Sequence, residues 1–454
     1  MTGENEQTET RPTLWNQQLA RAYRMRWPLW FVAVLSHSIG IFHRAAMGPM
    51  ADRIMADFNI TAVAFGSLGA VYFYVYAAMQ IPSGSLADTL GPRKTITLGL
   101  VCTTIGTVVM ALAPTFSILY IGRIIVSFGA SLEWLSVLKI IMSWFRSKEV
   151  ATVTGLSGAI NNSGQLIAAT PLALLIIAVG WRMSFLAAAG LSLVVAIATW
   201  IIVKDDPPKA GLPSIAEIEG GAKVETDEDP PGIPLRERFA ITIRNARMWP
   251  LFFVAMGTYG SYCAFFLNWF VIYLMQTYGI ARDYAATFAL VSAVGAITGT
   301  SFLGFISDRI GSRRIPITVA TGSSLACFLI MALWNGGKPP LEAHWVLAFA
   351  VGFGIGAMSV TFATVRDVAR PEVRGLTGGF INMGAFAGAA VVQPLFGLAL
   401  DKGWTGDMIE GVRHYPVEAF QQGILLSAGL MAIGFIGALM MREPWHIRVA
   451  KQPS

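Results

Sequence analysis

Charge is scarce in this 454-residue chain. Asp, Glu, Lys and Arg make up 13% of it, about half the share of an ordinary soluble domain. That shortage excludes an intrinsically disordered chain, which needs high charge and low hydrophobicity. Cysteine is scarcer still. Cys102, Cys263 and Cys327 are the only three, each inside an apolar run and without a paired neighbour, which argues against a disulfide scaffold or a cysteine metal site. A leader is also missing: the first 26 residues are polar and charged, with no short apolar segment before a small-residue cleavage site, so no signal peptide is expected. GFGIG, inside VGFGIGAMS at 351–359, lacks the lysine-serine ending and the helix start of a nucleotide loop. No nucleophile, metal cluster or cofactor motif stands out, so neither an enzyme nor a cofactor is expected. The net charge of +6 does not imply nucleic acid, because the basic residues fall between apolar runs and form no patch.

What is abundant is apolar surface, with 54% of residues hydrophobic. A soluble chain of this length cannot bury that much, so the expected solvent is lipid. About 20 apolar residues cross a bilayer core as helix, and twelve such runs are present. They lie at 28–51, 61–86, 95–113, 116–143, 151–179, 182–203, 249–276, 284–306, 315–334, 343–368, 375–400 and 420–441. Of the 33 Lys and Arg residues, 24 fall in the tails and in the loops on the same side, against 6 in the opposite loops. The positive-inside rule then places both termini in the cytoplasm. Trp27, Trp30, Trp144, Trp181, Trp200, Trp249, Trp334 and Trp345 stand near span ends as an aromatic belt requires; Trp134 and Trp269 do not. A Pro-, Gly- and charge-rich stretch at 204–248 reads as a linker. The expected architecture is an all-α membrane protein with 12 transmembrane helices in two pseudo-symmetric six-helix bundles. Its parts are a cytoplasmic tail (1–27), a bundle (28–203), the linker (204–248), a second bundle (249–441) and a second cytoplasmic tail (442–454).

The halves repeat. At a shift of 220 residues, GSLADTLGPRK (84–94) falls on GFISDRIGSRR (304–314), which matches Gly84, Asp88, Gly91 and Arg93 with Gly304, Asp308, Gly311 and Arg313. The same shift lays GLSGAINNSG (155–164) on GLTGGFINMG (375–384), pairing Asn162 with Asn382, and Arg146 meets Arg366. One offset serving distant motifs indicates two structurally repeated halves.

On these residues the chain resembles the major facilitator superfamily of secondary transporters, whose G-x-L-x-D-x-x-G-x-R-[KR] motif is complete at 84–94. HRAAMGP, YFYVYAAMQIPSG, Trp144-Phe145 and NWFVIYL (268–274) are similar to the organic-anion:cation symporters and sugar-phosphate permeases of that superfamily. Two positions depart. His43 stands where the symporters usually carry Asp, and Ala264, the repeat counterpart of Arg44, stands where the organophosphate permeases are expected to carry a second cation. A monoanion is therefore favoured over a dianionic phosphate ester. The resemblance implies that Asp88, Arg93, Asp308 and Arg313 gate the cytoplasmic side, an acid pairing there with neighbouring bases and a helix end. It also implies a monomer in a bacterial inner membrane.

Charges at membrane depth usually face a cavity or a partner, and here they are few: Arg44, Arg123, Glu133 and Lys139, with His37 and His43 nearby. Arg44 offers a fork of donors for a carboxylate, sulfonate or phosphate; the alternative is a side chain snorkelling to the interface. Glu133, a carboxyl at membrane depth, is the first candidate proton carrier and His43 the competing one. Arg123 and Lys139 are ten residues before Glu133 and six after it, so neither is a same-face partner on that helix. Tyr72, Tyr76 and Gln80 share one helix face. With Tyr259, Tyr262, Asn268, Asn162 and Asn382 they are candidates to line a substrate cavity, or else ordinary helix-to-helix bonds. The expected function is secondary transport of a small organic anion, carboxylate or sulfonate, with protons, by alternating access between the halves. The alternative is a proton-driven exporter of hydrophobic compounds. Its G-x-x-x-G-P-x-x-G-G signature is missing, and Pro171 stands in SGQLIAATPL instead.

Overall fold

The computed structural model of the protein describes residues 6–218, 235–370, 373–409 and 412–443. The outer parts of the expected tails and the middle of the expected linker thus lie outside the described residues. Within them, eight helical runs are long and apolar enough to cross a membrane, and three bent pairs raise the number to eleven. One run, Thr152–Ile202, has 51 residues, which at 1.5 Å each is about 75 Å, more than twice a bilayer core. Gly180 divides it with φ 80° and ψ 165°, so it makes two crossings, consistent with twelve spans.

In chain order, helix 1 is Glu6–Ala45, helix 2 is Ala62–Ala78 continued by Gln80–Thr89, and helix 3 is Pro92–Ala111. Helix 4 is Phe116–Ser131 and Glu133–Trp144; helix 5 is Ser147–Ala168 with residues 170–180; helix 6 covers 181–202. Helix 7 is Met248–Phe265 and Phe270–Tyr278, helix 8 is Arg282–Ile310, and helix 9 is Arg314–Leu333. Helix 10 is Ala343–Gly354 and Ala357–Val368, helix 11 is Arg374–Gly403, and helix 12 is Val417–Met440. Thr61 and Thr115 start helices 2 and 4 by accepting the amides of Ala64 and Ile118, each satisfying one donor left over by the first turn. The only strands among the described residues form a two-residue hairpin at Met408–Ile409 and Val412–Arg413.

The two ends of the molecule differ. At the end remote from the basic loops, the halves are locked together. Helices 2 and 11 touch so closely that a Cβ on Gly66 would overlap Gln393 and one on Gly397 would overlap Ala62. Helix 8 lies against helix 5, and Met47, Met50, Phe265 and Trp269 are fully buried. At the basic end the opposite holds: a Cβ on Gly155 or Gly158 of helix 5, or on Gly378 or Gly379 of helix 11, would meet nothing within 4 Å. Helices 5 and 11 thus make no close approach through these glycines at the basic end.

The loop between helices 2 and 3 is held from helix 6. Asp205 accepts the Arg93 amide at 2.9 Å, and Gly91 passes beside it with φ 86°. An alanine Cβ at 91 would stand 2.7 Å from Asp205 Oδ1 in a backbone region that L residues rarely adopt. Gly91→Ala is expected to cost about 1–3 kcal/mol and to lower the melting temperature in detergent. An unchanged melting curve would show that this loop is not fixed by the contact.

Candidate functional site

Arg44 lies in the last turn of helix 1, half-buried, where the two halves meet. Its guanidinium stacks over Tyr259 of helix 7 at 5.5 Å. No hydrogen bond or ion pair joins its side chain to another described residue, and Nε is buried without a partner. Residues 45–51, on the far side of it, are all buried, so the access that remains is from the basic end. Around it stands a cage of rings drawn from both halves. Tyr72 and Tyr76 stack at 6.0 Å, Tyr76 meets Phe386 edge-on at 4.9 Å, and Phe386 lies 5.9 Å from Tyr259. The Tyr259 hydroxyl is likewise buried, with the Cys263 thiol as its neighbour. A fork of donors free of any counter-ion, with polar hydroxyls beside it, is a place where an anion can dock.

The other cation at this depth is committed. Arg123 is 1% exposed, donates to the His43 carbonyl at 2.8 Å and sits over the Tyr72 ring at 4.8 Å. His43 is itself engaged at both ring nitrogens, with Ile39 O at 2.9 Å and Thr107 Oγ1 at 2.9 Å. Glu133 is fully buried at the break in helix 4. Its oxygens have no hydrogen bond, and His37 Nδ1 stands 3.7 Å from Oε2.

The remaining expected residues divide. Asn162 is half-buried and donates to Gly158 O of its own helix at 3.0 Å; Asn382 is half-buried on helix 11. Tyr262 and Asn268 make their contacts on the side of the closed end. Gln165 of helix 5 donates to the Tyr262 hydroxyl, which also meets Ser292 of helix 8 at 3.2 Å. Asn268 lies at the break in helix 7, and its amide nitrogen and Gln393 Oε1 both face Gly69 without partners. Trp269 stacks on Phe396 at 5.9 Å as part of that seal.

At the basic end, the two motif loops are built differently. Asp88 is paired by Lys139 at 2.6 Å, while Arg93 stacks on Trp200 at 4.3 Å. In the second half, Arg313 binds Asp308 at 2.5 Å and Asp367 at 2.9 Å, and Glu443 accepts the Arg313 amide as Asp205 does that of Arg93. The Asp88 and Asp308 side chains are 73% and 71% exposed, so these pairs add little stability, about 0–1 kcal/mol each.

Residues that did not stand out in the sequence hold the closed end. Asp401, at the end of helix 11, accepts the amides of Ala62 and Val63 at 2.9 and 2.8 Å, capping the positive end of helix 2 across the halves. Arg282 of helix 8 donates to Asp52 and to Pro49 O. The Arg282 and Asp52 side chains are 6% and 7% exposed. Loop carboxylates and arginines at span edges look interfacial in a sequence, and nothing local marks these as partners.

The Major Facilitator Superfamily profile matches this chain over residues 29–393 and again over 261–451. A "Probable galactarate/D-glucarate transporter" of Escherichia coli strain K12 is 25% identical over 393 residues, covering 82% of this chain and 87% of that protein. A "Probable sulfoacetate transporter" of Cupriavidus necator is 24% identical over 424 residues, covering 90% and 93%. Among solved structures, a bacterial homolog of the human lysosomal transporter Spinster, inward-facing and unoccupied, superposes with a TM-score of 0.69 at 19% identity, covering 95% of this chain and 99% of the other.

Proposed function

The chain belongs to the major facilitator superfamily, and from that premise we propose that it is a secondary transporter carrying a small organic anion, a carboxylate or sulfonate, by alternating access. The observation that carries this reading is Arg44, an unpaired guanidinium between the halves. In the proposal the tails and basic loops are cytoplasmic in a bacterial inner membrane, so the open end faces inward. The divisions at 28–203 and 249–441 are the two bodies that rock about Arg44, and the unit is a monomer. Tyr72, Tyr76, Asn162 and Asn382 shape the inward-facing side of the site; Tyr262 and Asn268 close it from behind. Asp88, Arg93, Asp308 and Arg313 gate the cytoplasmic end, and Glu133 carries the coupled proton, with His43 a holding residue bonded at both nitrogens. Uptake of a proton favours the substrate-binding form, which is a difference in affinity between states.

Galactarate and sulfoacetate, named for the relatives, are the first anions to test; both are dianions, so binding of either would overturn the expectation of a monoanion. In a thermal-shift screen against small carboxylates, sulfonates, a hexose phosphate and hydrophobic drugs, one anion class is expected to stabilise the protein by several degrees. The effect should vanish in Arg44→Ala. Stabilisation by hydrophobic compounds that is indifferent to Arg44 would instead identify an exporter.

A further inference from the structure

What faces Arg44 from the second half carries no charge. Residues 249–276 of helix 7 and 375–400 of helix 11 include no Asp, Glu, Lys or Arg. Among the described residues, the titratable groups set against its guanidinium are the hydroxyls of Tyr259, Tyr72 and Tyr76 and the Cys263 thiol. A second anionic group on a ligand would find no free cation beside the first, since Arg123 is held by His43 O and Lys139 by Asp88. The second half supplies rings instead. Tyr259 lies under the guanidinium at 5.5 Å, and Phe386 stands 5.9 Å from Tyr259 and 4.9 Å from Tyr76. Phe73 completes the group, edge-on to Tyr259 at 6.3 Å and tilted to Phe386 at 6.0 Å.

The polar atoms of this cage are already engaged. The Tyr72 hydroxyl donates to Gly40 O at 3.1 Å, Tyr76 faces Gln80 one turn along its own helix, and the Tyr259 hydroxyl has Cys263 beside it. Asn162 is committed to Gly158 O. Asn382 is half-buried and four residues before Phe386, hence on the same face of helix 11, where it offers one amide to a substituent. A polyhydroxylated body needs a donor or acceptor for each hydroxyl it buries, and every one left unpaired costs affinity. A flat aromatic body needs none, and it gains from stacked and edge-on neighbours.

We propose that the anion carried at Arg44 is an aromatic monocarboxylate, with its carboxylate on the Arg44 fork and its ring against Tyr259 and Phe386. This rests on the reading of Arg44 as the anion site and adds the chemistry of the ligand's body. Galactarate and sulfoacetate, after which two relatives are named, are dianions without a ring, so the proposal sets this chain apart from them. Arg44 belongs to the first half, and Tyr259 and Phe386 to the second. One ligand of this kind therefore touches both halves, as a site between two rocking bodies requires.

Benzoate and galactonate each carry one carboxylate and differ in the body, so the pair separates the rings from the charge. Isothermal titration of the purified full chain near neutral pH is expected to show benzoate binding at least about tenfold tighter than galactonate, with benzoate binding lost in Arg44→Ala. Phe386→Leu, which stays apolar and loses the ring, should weaken benzoate by about three- to tenfold and lower its advantage over galactonate, a change of ratio that general damage to the fold would not produce. The melting temperature of the unliganded variant shows that it is folded, and the comparison of the two anions on the wild type does not depend on it. Galactonate binding as tightly as benzoate, with both lost in Arg44→Ala, would overturn the aromatic body and leave the anion site standing. Benzoate binding that is indifferent to Arg44 would count against the anion site itself, and the aromatic assignment would fall with it.

Discussion

Arg44→Ala is expected to abolish anion binding and transport. Truncating one partner of a desolvated, charge-assisted pair costs about 2–5 kcal/mol, which is a loss of roughly 30-fold to several thousand-fold in affinity. The loss should be this large because the other cations are committed: Arg123 to His43 O and the Tyr72 ring, and Lys139 to Asp88. Arg44→Lys should recover only part of it, since an ammonium keeps the charge and loses both the fork and the stacking on Tyr259. Isothermal titration with the anion that stabilises the wild type checks both variants. Full affinity in Arg44→Ala would place the anion elsewhere.

The second large effect is conformational. Arg282 and Asp52 come from different halves and are buried together, so their contact exists only while the end remote from the basic loops is closed. Arg282→Ala strands a buried carboxylate, at a cost of about 3–5 kcal/mol that falls on this state alone. The population should therefore move toward the form open at that end by roughly a hundredfold or more. Asp401→Asn, which weakens the cap on helix 2, should act in the same direction by less. Leu267 lies in the seal at 7% exposure, so a cysteine there reports the change once the three native cysteines are replaced by alanine. Its maleimide labelling rate should rise at least about tenfold in Arg282→Ala; equal rates in both variants and their parent would show that these contacts do not hold the end shut.

Most of the architecture is legible in the sequence because membrane insertion is decided locally, segment by segment, by hydropathy. The spans, the repeat at 220 residues and the motif at 84–94 each need only a window of the chain. Charge inside the apolar runs is legible for the same reason, because an arginine there stands out wherever it points; Arg282 and Asp52, at span edges, are buried and did not. Partner choice is another matter. The motif suggested that Asp88 would pair with the bases beside it, but Lys139 reaches it from helix 4, leaving Arg93 to Trp200. Spacing put Arg123 and Lys139 off the face of Glu133, and its neighbour turned out to be His37, on helix 1.

The sequence by itself determined that this chain lives in lipid, that its helices come in two repeated sets, and that the charges inside its apolar runs, Arg44 and Glu133 among them, lie in the first set. Only the tertiary structure decided which end is closed, that Tyr262 and Asn268 belong to the seal, and that Asp52, Arg282 and Asp401 hold it. Hydropathy is a property of each segment against its solvent, so it can be read one stretch at a time. A bond between residues 230 positions apart depends on how two helix bundles are turned against each other, and no local pattern records that angle.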